Sequence, residues 1–134
     1  MKIIILSSLI ASFSFLIIDI IWLSYSVKLF YKPQIGLLLN ETPVMWAAIL
    51  FYLIYVIGLT FIILIPAINN DSVFQAFWTG LIFGLVAYGT YNLTNMATIK
   101  GWSVYVVFVD LFWGSILTGT SSSLGIYLSK KIIV

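Results

Sequence analysis

The stretch VMWAAILFYLIYVIGLTFIILIPAI, from Val44 to Ile68, runs for 25 residues without one charged side chain. A helix needs about 20 such residues to cross the hydrocarbon core of a bilayer. Three further runs of the same kind flank it, Ile3–Val27, Val73–Ile99 and Val104–Leu128. Their excess length leaves room for tilt. Membrane-spanning β-strands are about half as long and alternate between apolar and polar residues, whereas these runs are continuously apolar. The pattern predicts an all-α integral membrane four-helix bundle in a single domain over 1–134, with helices at about 3–27, 44–68, 73–99 and 104–128.

Composition leads to the same place. Charged residues make up 7% of the chain and hydrophobic ones 63%, with a mean hydropathy of +1.18. A soluble domain carries about a quarter charged residues, and a small one leaves much of its chain at the surface. Lipid is therefore the solvent for most of this chain. The net charge of +2 argues against a nucleic-acid partner. There is no Cys and no His, and all six basic residues are Lys. Thiolate chemistry and the commonest metal ligand are excluded, so no metal and no cofactor is expected. The run after Lys2 exceeds a signal-peptide core and lacks a small-residue cleavage site, so it reads as a retained span.

Several boundaries carry signals. Thr42-Pro43 reads as an N-cap and first-turn proline, and Ser72 with Gln75 has capping-box spacing. Lys100-Gly101 reads as a helix C-terminus and Ser103 as the next cap. The connections after the second and third spans are short, which requires antiparallel hairpins and an up-down topology. The connection 28–41 is longer, and Leu29, Phe30, Tyr31 and Leu37–Leu39 suit a segment lying along the interface. Gly80 and Gly84 in the third span, with Gly114 and Gly119 in the fourth, supply small residues for close helix packing, within one chain or in a homodimer. Lys2, Lys130 and Lys131 stand on the terminal side against Lys28, Lys32 and Lys100 on the other. The free amino terminus tips this balance towards cytoplasmic termini.

Ionisable groups within a span cost a few kcal/mol and mark functional sites by default. Asp19 lies roughly 13 Å from the Lys28 end of the first span, and Asp110 roughly 10 Å into the fourth. Because the two spans run oppositely, the carboxylates fall at similar depth. Tyr88, Asn92 and Asn95 share one face of the third span. Tyr91 flanks that face, and Tyr52 reaches the same level from the second span. Asp19 with Trp22 and Asp110 with Trp113 repeat a D-x-x-W spacing that sets each indole on its carboxylate's face. These nine residues are the candidate ligand or proton site. If the carboxylates face each other they cannot both stay ionised cheaply, so they share a proton or draw in Lys28 or Lys100. The structural alternative is that Asn, Tyr and Asp only hydrogen-bond across helices and that the aromatics only anchor at the interface, as Trp46 and Trp102 are expected to do. Pro66 marks a local bend, and Ser8 and Ser12 extend the Asp19 face or bond to their own backbone.

The runs 16–23, 50–55 and 86–98, with Lys100-Gly101-Trp102 and Val109-Asp110-Leu111-Phe112-Trp113-Gly114, resemble a family of small four-helix bacterial predicted membrane proteins of unknown function, domain-of-unknown-function family 2177. The resemblance covers nearly the whole chain and implies the bacterial inner (cytoplasmic) membrane. Family members often have Asp at the position of Asn92. The resemblance carries no settled activity and leans only slightly towards a lipid-related role.

The reading that follows is a non-enzymatic bundle that binds or moves a small or lipid-like ligand through the layer of Asp19, Asn92 and Asp110. Its partners would be membrane lipid and a second copy or a larger membrane complex. The alternatives are a lipid-modifying membrane enzyme or its partner, and a structural subunit in which the layer only sets helix register.

Overall fold

The computed structural model describes residues 1–133. Four helical rods are long and apolar enough to cross a membrane. The first consists of α1 (Lys2–Ser26), a π-helical turn (Val27–Tyr31), the short α2 (Lys32–Ile35) and a 3₁₀ turn to Leu38. The second consists of α3 (Met45–Leu59), another π-helical turn (Thr60–Leu64) and α4 (Ile65–Asn69). The third is α5 (Val73–Thr98) and the fourth α6 (Val104–Ile133).

The segment 28–38 is helical and carries the first rod past the expected helix end at residue 27. A π-helical turn accommodates Pro33 within it. A proline inside a helix has no N–H for the carbonyl four residues back, and its ring pushes that carbonyl away. Here that carbonyl belongs to Leu29, inside the π-helical turn. Pro66 has the same relation to Ile62 in the second rod. In each case the wider turn absorbs the proline and the helix goes on.

The boundaries divide. Ser72 caps α5 by accepting from the Gln75 amide at 3.0 Å, and Ser103 accepts from the Tyr105 amide at 3.2 Å. Gly101 adopts φ 81°, the left-handed conformation open to glycine. Thr42 does not cap α3. That helix starts at Met45, and the residue before it, Val44, is extended and lacks a capping side chain.

Helix α6 is the axis of the bundle: 50% of its most apolar window is buried, against 22% for each other rod. Against α5 it packs backbone to backbone. A Cβ on Gly84 would lie 2.2 Å from the Gly114 carbonyl oxygen, and one on Gly119 would lie 2.9 Å from the Phe77 carbonyl oxygen. Against α1, Gly125 lies under Ser7 and Ala11, and Ser7 and Ser129 share a hydrogen bond of 2.6 Å. Further along, Asp19 meets Trp113 and Gln34 meets Ser103, so the first and last rods run in opposite directions. α3 closes the remaining side through Tyr55, whose hydroxyl bonds Thr118 at 2.6 Å. At the terminal end of the bundle, Lys130 pairs with Asp71 in the turn between α4 and α5.

These contacts predict that Gly84→Ala destabilises the bundle by about 1–3 kcal/mol, the range for overpacking a tight site. Gly89→Ala, whose Cβ would meet only Leu111 at 3.9 Å, should stay within about 0.5 kcal/mol of the parent. Reversible unfolding in mixed micelles measures both. Equal stability of the two variants would mean that α5 and α6 do not meet at Gly84.

Candidate functional site: a carboxylate chamber

The D-x-x-W pairs of α1 and α6 face each other. Their indoles, Trp22 and Trp113, stack with centroids 4.5 Å apart and planes 19° from parallel. Trp113 Nε1 donates to Asp19 Oδ1 at 3.1 Å, so the indole of one helix serves the carboxylate of the other. The reverse path has one extra member. Trp22 Nε1 donates to the Tyr31 hydroxyl at 3.3 Å, and that hydroxyl donates to Asp110 Oδ1. Tyr52 donates to Asp19 Oδ2 at 2.9 Å, and Asn92 Nδ2 to Asp110 Oδ2 at 3.0 Å. Each of the four carboxylate oxygens thus accepts one bond from a protein donor. Donors of this kind offset the loss of water around a buried carboxylate.

Asn92 is fully buried, and its own amide oxygen accepts from Trp102 Nε1 at 3.4 Å. Trp102, expected only as an interface anchor, is therefore joined to the layer. Tyr88 enters by packing: its ring lies where a Cβ on Gly114 would stand, 2.2 Å away. Tyr91 is 57% exposed and packs edge-on against Trp102 at 5.8 Å. Asn95, one turn beyond Asn92, is half-buried and lies outside the hydrogen-bonded layer. Lys28 and Lys100 are exposed, and the one ion pair among the described residues is Lys130 with Asp71. The alternative in which a loop lysine neutralises a carboxylate is not what the structure contains.

Tyr31 is the member that sequence reasoning missed. Nine residues separate it from Trp22, which is two and a half turns at 3.6 residues per turn and would point it the opposite way. The π-helical turn over Val27–Tyr31 changes that phase and brings the hydroxyl round. The available signal was Pro33, whose ring and missing N–H disturb the regular turn of a helix that runs through it.

Asp19 and Asp110 are each 8% exposed, and both open into one chamber of about 270 Å³. Trp22, Tyr31, Trp102 and Trp113 also line it. A second cleft of about 350 Å³ lies between α3 and α5, walled by Phe51, Tyr55 and Ala87. It shares Tyr88, Tyr91 and Asp110 with the chamber, so an apolar cleft leads to a carboxylate. A third cleft of about 390 Å³ carries Lys32 and Lys100 and shares only Ile35, 5% exposed, with the chamber. Gln34 holds this mouth in place by accepting from the Ser103 hydroxyl at 2.6 Å. Among the described residues, no three His, Cys, Asp or Glu side chains converge as a metal site would require.

Removing the Tyr31 hydroxyl leaves Asp110 short of a donor and Trp22 short of an acceptor. Tyr31→Phe should cost about 0.6–2 kcal/mol, the range for interhelical bonds in membranes. Asn95→Ala should cost close to nothing. Unfolding measurements on both variants check this, and equal losses would remove Tyr31 from the layer.

No curated protein and no solved structure matches the chain. A match to one family spans residues 4–127, which include both carboxylates, both stacked indoles, Tyr31, Tyr52 and Asn92. Four membrane-length helices and a match over nearly the whole chain lead to one assignment: the chain belongs to the family described as Predicted membrane protein (DUF2177).

Proposed function

We propose that this membrane protein binds or moves an amphiphilic, lipid-like molecule, with its polar group in the carboxylate chamber and its alkyl chain in the cleft between α3 and α5. The observation that carries this reading is the continuity of the two spaces: Asp110, Tyr88 and Tyr91 line both. A cleft walled by Phe51, Tyr55 and Ala87 suits an alkyl chain, because contacts in such pockets are mostly apolar with a few placed polar groups. The chamber suits a headgroup because a carboxylate has about four lone-pair sites, and each aspartate accepts from two protein donors. With the termini on the cytoplasmic side of a bacterial inner membrane, the chamber lies in the outer half of that membrane.

The same hydrogen bonds favour a second reading, in which the layer serves only to lock helix register within a bundle or a larger assembly. Every carboxylate oxygen already has one partner, as a purely structural layer would require.

A lipid carrying a photoreactive diazirine in its headgroup separates the two. In nanodiscs it should label peptides that contain Asp19 or Asp110, and Ala87→Trp, which fills the lateral cleft, should remove most of that labelling. Label confined to outward-facing side chains such as Ile20 and Phe112, 62% and 71% exposed, and unchanged by Ala87→Trp would leave the register-lock reading in its place.

A further inference from the structure

The chamber's lining has a chemical signature narrower than "polar". It contains two aspartates, no lysine, and a wall of indole and phenol rings. Lys32 and Lys100 sit in a separate cleft behind Ile35, and Lys28 is exposed and absent from the lining. Neither carboxylate has an ion-pair partner among the described residues. The bonds they accept come from neutral donors: an indole and a phenol at Asp19, a phenol and an amide at Asp110. Neutral donors satisfy hydrogen-bonding capacity but supply no counter-charge.

Aromatic faces attract cations through their quadrupole, and aromatic cages are the recurring means of holding ammonium groups. A carboxylate beside such a cage adds direct charge complementarity, which is strong where water is scarce. In this chamber the stacked pair Trp22–Trp113 is bonded to Asp19 directly and to Asp110 through Tyr31, and Trp102 also lines the space. Resting on the reading of the chamber as a headgroup site, we infer that its ligand is an amphiphile with a cationic ammonium group, held by Asp19 and Asp110 against the indoles. An anionic or purely hydroxylic headgroup would meet two carboxylates and no cation there.

The test uses three water-soluble probes with the same six-carbon tail: hexyltrimethylammonium, hexyl sulfate and hexanol. Saturation-transfer NMR with the full chain in nanodiscs reports binding, with empty nanodiscs as background. The ammonium probe should bind saturably and about tenfold or more tighter than the other two. The Asp19→Asn/Asp110→Asn double variant should lose that preference while still binding hexanol. The wild-type ranking stands by itself if the double variant fails to fold. Equal or tighter binding of the sulfate or the alcohol in the wild type would overturn the ammonium inference and leave the headgroup chamber intact. Saturable binding of none of the three would overturn both.

Discussion

The backbone contact between α5 and α6 at Gly84 and Gly114 sets the distance on which the rest of the structure depends. A single methyl group on Gly84 would lie 2.2 Å from a carbonyl oxygen, so the two helices touch through main chain, with no side chain between them. In lipid, where apolar burial gives helices little reason to associate, this close approach is the main source of packing energy. About two turns along α5 from Gly84 stands Asn92, and about one turn before Gly114 stands Asp110. The close approach is what brings an amide to hydrogen-bonding distance of a carboxylate at that level.

From there α6 organises both of its neighbours. Its small residues Ser115, Thr118, Ser121 and Ser122 are buried and occupy little space along the half nearer the chain ends. Its aspartate and tryptophan face α1 and α5 along the other half. The first half is tightly packed, with Gly125 pressed on α1 and Thr118 bonded to both Tyr55 and the Gly114 carbonyl. The second half is propped open by rings too large to interdigitate, and the carboxylate chamber is the space between them. One helix thus carries a closed end and an open end because its residue sizes change along its length.

The open end is held by reciprocity between two identical spacings. An aspartate and a tryptophan three residues apart on each of two opposed helices give a stacked indole pair with a carboxylate beyond each ring. The two sides are not equivalent. Trp113 reaches Asp19 directly, whereas Trp22 reaches Asp110 only through Tyr31, which closes the π-helical turn. That asymmetry ties the outer part of the first rod to the core of α6, as the Gln34–Ser103 bond does nearer the surface. It also leaves Asp110 as the carboxylate shared between the chamber and the lateral cleft.

By itself the sequence determined the class of fold, because lipid leaves so few solutions: four long, continuously apolar runs with at most one acid each can only be helices. It also marked Asp19, Asp110, Asn92, Tyr52 and both D-x-x-W tryptophans, since a polar group costs most where its surroundings are apolar and so stands out by position alone. Caps such as Ser72 and the turn at Gly101 were legible because their geometry is local. Tyr31 and Trp102 were not. Helical phase counted at 3.6 residues per turn aims Tyr31 away from Trp22, and only a proline-driven π-helical turn reverses it. Tyr91 and Asn95 were placed in the layer on spacing; Tyr91 lines the chamber while 57% exposed, and Asn95 is half-buried and absent from the lining. Which lysines stay outside, and that both aspartates open into one space, depend on how the rods pack at their ends. Periodicity along a single helix reports which face a residue takes. Only the packed bundle decides what stands opposite that face.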